Sequence, residues 1–149
     1  MNSDEKREMM ELCLKMASEN VNENGGGPFA ALVVRDGKII GKGTNSVARK
    51  SDPTAHAEIE AIRDACDHIG GHHLTDTVIF SSCEPCPMCL GAIYWSGIRE
   101  VYYAADRFDA ELAGFGDAFI YREFAEEPGR RKILFKKIES PTRLIPFKL

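Results

Sequence analysis

Two short stretches, Pro53-Thr54-Ala55-His56-Ala57-Glu58 and Ser82-Cys83-Glu84-Pro85-Cys86-Pro87-Met88-Cys89, combine residue types that hold a metal with one that moves protons. One imidazole (His56) and two thiolates (Cys86 and Cys89) suit a tetrahedral zinc whose fourth position is left to water, which distinguishes an open reactive centre from a closed structural one. Bound zinc lowers the pKa of such a water from about 16 to roughly 7, so a hydroxide nucleophile forms near neutral pH. Glu58 supplies a carboxylate beside it. It is suited to take a proton from that water, deliver it to a substrate ring nitrogen, and help protonate a departing amine. The expected centre is therefore one Zn2+ per subunit with a bound water or hydroxide as nucleophile, held by His56, Cys86 and Cys89, with Glu58 as the catalytic residue.

The spacing constrains the elements. Residues two apart on a regular helix point about 200° apart, so a mid-helix His56 and Glu58 do not share a site. In a first turn they do, because side chains there surround the space beyond the helix end. Pro53-Thr54, followed by Ala-rich and Ile-spaced sequence, reads as such a start. Pro87 likewise suits the first turn of a second helix, which puts Cys86 and Cys89 where unpaired N–H groups and the helix dipole favour thiolates. Two helix N-termini are expected to converge on one metal.

Each half has an ordinary reading on its own. His56 and Glu58 alone resemble a surface pair, and Cys86 and Cys89 alone are half of a structural zinc site or a redox pair. A closed site of His56 with Cys83, Cys86 and Cys89 is the structural alternative. The turn Glu84-Pro85 stiffens the chain between Cys83 and Cys86 and counts against it.

The elements follow from the apolar pattern. Met9, Leu12, Cys13, Met16 and Ala17 form an amphipathic stripe on a first helix that ends near Asn24-Gly25-Gly26-Gly27-Pro28. Strands at 30–34 and 38–43 flank Asp36-Gly37, a hairpin signal. A helix is expected over about 55–69, a buried strand at 78–82, a helix at about 87–96 and a strand at 100–105. A loop, a short helix around 117–124 and a final strand at about 131–138 complete the pattern. Five strands in one mixed sheet, with helices on both faces, give a three-layer α/β/α architecture. The metal then sits at the strand ends where helices begin.

At 149 residues and 44% hydrophobic content, the chain is the size of one domain with a sizeable core, and one domain over 1–149 is expected. The densely charged start, Met1 to Glu8, lacks the apolar run of a secretory signal, and no later stretch is long and apolar enough to span a membrane. A cytoplasmic location is expected, without membrane association. The five cysteines do not form the pattern of a disulfide framework, and Cys13 and Cys66 read as core positions.

Net charge is −4, yet residues 120–149 carry eight Lys/Arg against four Asp/Glu. Such asymmetry raises nucleic-acid contact as a reading. The lysines of Arg131-Lys132-Ile133-Leu134-Phe135-Lys136-Lys137-Ile138 flank apolar residues, as on an edge strand that uses Lys against aggregation. Nucleic acid is not an expected partner.

The chain resembles the cytidine-deaminase-like superfamily of zinc deaminases, and within it most resembles the bacterial guanine deaminases. The resemblance rests on Pro28-Phe29, Gly43-Thr44-Asn45, Asp52 to Glu58, the block from Ser82 to Trp95, and Ala113-Gly114-Phe115-Gly116-Asp117-Ala118-Phe119-Ile120-Tyr121. It implies the cytidine-deaminase-like fold and hydrolytic attack at C2 of free guanine, giving xanthine and ammonia. It also implies substrate contacts. Asn45 hydrogen-bonds the purine, Phe29 packs against its ring, the Ala57 backbone meets its edge, and Asp117 accepts from ring and exocyclic N–H groups. A carboxylate accepting two N–H bonds favours the amino-lactam edge of guanine over adenine, which presents an acceptor at N1. In the ordinary reading Phe29 is core, Asn45 a turn residue and Asp117 a helix N-cap.

The resemblance further implies a homodimer that exchanges C-terminal segments. This chain stops at Leu149, several residues earlier than the resemblance leads us to expect, and a short swapped arm over about 139–149 is the expectation for its C-terminal segment. Three other readings stand beside the main one: a tRNA-editing adenosine deaminase, a deaminase of cytosine or another aminated heterocycle, and a non-catalytic zinc-stabilised binding module. The first requires a basic strip and a pocket for a flipped base. The last requires four protein ligands on the metal, and the presence of Glu58 argues against it.

Overall fold

Asp36 and Gly37 both take positive φ, 50° and 73°, and this primed turn folds β1 (Ala30–Arg35) back onto β2 (Lys38–Thr44). The computed structural model describes residues 1–149 and divides into two compact units, Met1–Asp117 and Ala118–Leu149. In the first unit four strands form one sheet in the order β2-β1-β3-β4, with β3 at Val78–Cys83 and β4 at Glu100–Ala105. β1 pairs antiparallel with both β2 and β3, whereas β3 and β4 run parallel. A parallel pair needs a crossover, and α4 (Pro87–Ser96) provides it.

The sheet is buried on both faces. Along β1, Ala31 and Val33 face one side with Ile79, while Ala30, Leu32 and Val34 face the other with Phe80. α1 (Ser3–Asn24) covers the second side through Cys13 and Ala17. A capping box between Asn2 and Glu5 starts α1, and Gly25 in the left-handed region ends it. α3 (Ala57–Ile69) and α4 cover the first side through Ala57, Ala61, Ala65 and Ile93. This is the expected α/β/α layering.

α3 lies unusually close to the sheet. A Cβ at Gly41 would fall 2.4 Å from the Ala61 carbonyl oxygen, and one at Gly43 only 2.1 Å from that of Ala57. Ala57, Ala61 and Ala65 recur every four residues and so share the helix face that meets these glycines. Small residues on both partners set the distance.

The second unit holds α6 (Ala118–Ala125) and 3-10 turns at Pro128–Arg130 and Ile145–Phe147. Glu123 organises it, accepting from the Arg131 side chain at its backbone carbonyl and from the Lys132 backbone N–H at its carboxylate.

The sheet has four strands, not five. Residues 131–138 form no strand, and Ile133, Leu134, Phe135 and Ile138 stand exposed. An extended segment becomes a strand by sharing a hydrogen-bond ladder, and no strand of this chain pairs with it. Two short helices were not foreseen, α2 (Val47–Lys50) and α5 (Arg107–Leu112). No helix is long and apolar enough to cross a membrane.

Gly43→Ala should cost at least about 3 kcal/mol of unfolding free energy, because the added methyl meets backbone that has nowhere to move. Gly71→Ala, where nothing lies within 4 Å of the added atom, should change stability by less than about 0.5 kcal/mol. Equal denaturant midpoints for the two variants would contradict the packing account.

Candidate metal centre and active site

The α3 and α4 N-termini meet. His56 is the N-cap of α3, Ala57 its first residue and Glu58 its second; Cys86 is the N-cap of α4, Pro87 opens the helix, and Cys89 follows within the first turn. Both caps have extended backbone, and neither side chain makes a capping hydrogen bond to its own helix. A short Asx turn, in which Asp52 accepts from the Thr54 backbone and hydroxyl, leads into His56.

His56 Nδ1 lies 3.5 Å from Cys86 Sγ and 3.6 Å from Cys89 Sγ. All three donor atoms fall within 4.8 Å of one another. A tetrahedral zinc with Zn–S near 2.3 Å and Zn–N near 2.0 Å separates its sulfur and nitrogen ligands by about 3.6 Å. The donor set and its spacing therefore fit zinc. Cys83 stands apart from this set, with its Sγ turned to the Asp106 carbonyl at 3.8 Å.

The electrostatics are those of acids crowded together. The Cys86 thiol is pulled down to about 4, first by its hydrogen bond with Cys89 and then by His56. Cys89 is pushed up, chiefly by the same bond and by burial. The hydrogen bond with Cys86 raises the His56 pKa. Cys83 rises to about 11, mainly through burial and then through the charge of Glu58.

Glu58 is 6% exposed, and the Ser81 hydroxyl donates to its Oε1 at 3.0 Å. Burial raises its pKa, opposed by hydrogen bonds with Cys89 and Ser81. The carboxyl thus sits beside the candidate metal-binding side chains, and its raised pKa is the kind of shift that suits a group exchanging protons. Ser81 was not singled out from the sequence. Its only signal is a hydroxyl at an inward position of an otherwise buried strand.

The remaining residues form the surroundings. The Asn45 N–H donates to the Phe29 carbonyl at 3.1 Å, and Asn45 Oδ1 accepts from the Val47 N–H at 3.3 Å. The Phe29 ring, half-buried against the core, meets Phe115 edge to face at 5.3 Å. Ala57 is fully buried at the start of α3. Asp117 carries a raised pKa, first from burial and then from the Cys86 charge, and its own charge acts on His56. Its Oδ1 is buried and has no hydrogen-bond partner. A buried carboxylate oxygen without a donor is costly, and a ligand N–H would satisfy it.

Residues 3–105 match the family profile of the cytidine and deoxycytidylate deaminase zinc-binding region. The chain is 50% identical to the guanine deaminase of Bacillus subtilis over 132 residues, 89% of this chain and 85% of the relative. A solved structure of guanine deaminase from Bacillus subtilis has a TM-score of 0.93 at 46% identity, covering 99% of this chain and 92% of that one. The tRNA-specific adenosine deaminase of Buchnera aphidicola subsp. Schizaphis graminum is 41% identical over 106 residues, 71% of this chain and 70% of its own. The matched profile takes in both helix starts that carry His56, Glu58, Cys86 and Cys89, and on sequence, fold and donor set alike the chain belongs to the zinc-binding cytidine and deoxycytidylate deaminase family.

Proposed function

We propose that the protein hydrolyses free guanine to xanthine and ammonia, with His56, Cys86 and Cys89 as zinc ligands and Glu58 as the proton carrier. The observation that carries the choice of base is the unpartnered, buried Oδ1 of Asp117 beside the metal ligands. Guanine presents N1–H and its 2-amino group side by side, and a carboxylate accepts from both. Adenine presents an acceptor at N1, which would leave the Asp117 oxygen unpaired against a lone pair. The named activity of the Bacillus subtilis relative supports the same reading.

Zinc bound by this ligand set supplies a Lewis acid that brings the pKa of a water toward about 7. Glu58 takes the proton of the attacking water, passes it to a ring nitrogen of the base, and then assists departure of the 2-amino group as ammonia. Ser81 holds the carboxylate in place through its hydroxyl. Phe29 and Phe115 offer aromatic faces and edges to the purine, Asn45 offers its side-chain amide, and the Ala57 backbone meets the ring edge. The buried setting of Glu58 keeps bulk water from competing for its protons.

The working unit in this reading is a cytoplasmic homodimer in which residues 1–149 act as one deaminase domain and the segment 139–149 is exchanged between copies. Support comes from the apolar side chains left exposed in the single chain: Trp95 at 88% and Tyr94 in the first unit, Ile138, Ile145 and Phe147 in the second.

Ammonia release from guanine, adenine, cytosine, their nucleosides and a tRNA anticodon hairpin should be detected with guanine at least about a hundredfold above the others. Release from the hairpin alone would move the function to tRNA editing. Glu58→Gln should retain about one zinc per chain, by atomic absorption, and lose 10²-fold to 10⁴-fold in kcat. Near-normal turnover in that variant would remove Glu58 from the chemistry.

A further inference from the structure

The turn that delivers the zinc ligands is strapped to the start of α5. The Glu84 N–H donates to the Ala105 carbonyl at 2.8 Å, and Cys83 Sγ reaches the Asp106 carbonyl. The Glu84 carboxylate then accepts three hydrogen bonds from Arg107: its backbone N–H at 2.9 Å to Oε1, and Nε and Nη2 at 3.2 and 2.9 Å to Oε2. The two side chains are only 18% and 33% exposed. Arg107 lies beyond β4 in sequence, so this clasp ties two distant segments. With Oε2 held by the guanidinium and Oε1 by the backbone N–H, both carboxylate oxygens are engaged by one residue, and the charge assistance strengthens the clasp.

From Arg107 the chain leads rigidly to Asp117. Asp106 caps α5 through a capping box with Asp109. At the far end Ala113, Gly114 and Phe115 donate their N–H groups back to Asp109, Glu111 and Ala110, at 3.1, 3.0 and 2.8 Å. Phe115 is braced against Phe29, and Asp117 follows two residues on. The Glu84–Arg107 clasp therefore joins the β3–β4 ladder, the Cys83–Asp106 contact and the Phe115–Phe29 brace in setting where the unpartnered Asp117 oxygen lies relative to Cys86.

We propose that Glu84 is a positioning residue, which through Arg107 and α5 holds Asp117 at the reach from the metal ligands that the purine edge requires. Its kinetic side rests on the guanine reading given above. Glutamine at position 84 cannot replace the clasp, because one of its two terminal atoms is an NH₂ group that meets an Arg107 donor. Asp117 then loses its fixed reach while the zinc ligands keep theirs.

The test compares wild type, Glu84→Gln, Asp117→Asn and the double variant, each loaded with zinc, in guanine kinetics and in amide hydrogen exchange read by mass spectrometry. Glu84→Gln should lower kcat/KM for guanine roughly tenfold, mostly through KM, with about one zinc retained per chain. In the Asp117→Asn background the same change should cost less than about twofold, the non-additivity of two residues acting as a unit. Amides over 107–117 should exchange faster and those over 57–69 should not. Equal losses in both backgrounds, loss of zinc, or unchanged exchange over 107–117 would each overturn the proposal. Should wild type leave guanine untouched, the functional reading fails by itself and the exchange result still decides the role of Glu84.

Discussion

At Gly41 and Gly43 the α3 helix comes so near to β2 that a single methyl group would overlap helix backbone. His56 and Glu58 inherit their places from that contact. His56 caps α3 and Glu58 stands in its first turn, so lifting the helix by the radius of a methyl group moves both relative to Cys86 and Cys89. Metal–ligand distances tolerate only a few tenths of an ångström. The alanines of α3 and the glycines of β2 are thus the means by which a sheet and a helix place an imidazole at 3.5 Å from a thiol.

The second constraint is charge. Burial raises the Cys83 and Asp117 pKa values, joined by the charges of Glu58 and Asp117 at Cys83 and of Cys86 at Asp117, and the hydrogen bond with Cys86, burial and the charges of Glu58 and Cys86 raise that of Cys89. Two helix N-termini offset part of this cost, since their unpaired N–H groups favour negative charge. A divalent cation offsets far more, and deprotonates both thiols outright. The fold gathers acids where zinc makes them compatible. In the proposed mechanism the residues that would hold the metal also act on Glu58, whose pKa is raised first by burial and then adjusted by Cys89, Ser81, Cys86 and His56.

Much of this was legible in the sequence, and the parts that were not share a cause. His56 and Glu58 two apart, and Pro87 after Cys86, required helix starts, and both are found there. Asp36-Gly37 specified its hairpin because the turn needs positive φ at both positions. Local signals sufficed for these. The apolar run at 131–138 looked equally local, yet a strand needs a partner and this chain provides none. Nothing in the sequence marked Gly41 and Gly43 as packing positions, since the alanines they meet lie over a dozen positions on. Ser81 and the Glu84–Arg107 clasp depend on pairings across 23 residues, for which one sequence carries no pattern.

The central claim is that three side chains from two helix starts hold one zinc and leave its fourth position open. X-ray absorption at the zinc edge of the loaded protein tests it most directly. Two sulfur ligands at about 2.3 Å with two lighter nitrogen or oxygen ligands at about 2.0–2.1 Å is the expected result. Three sulfurs would bring Cys83 into a closed structural site and contradict the account.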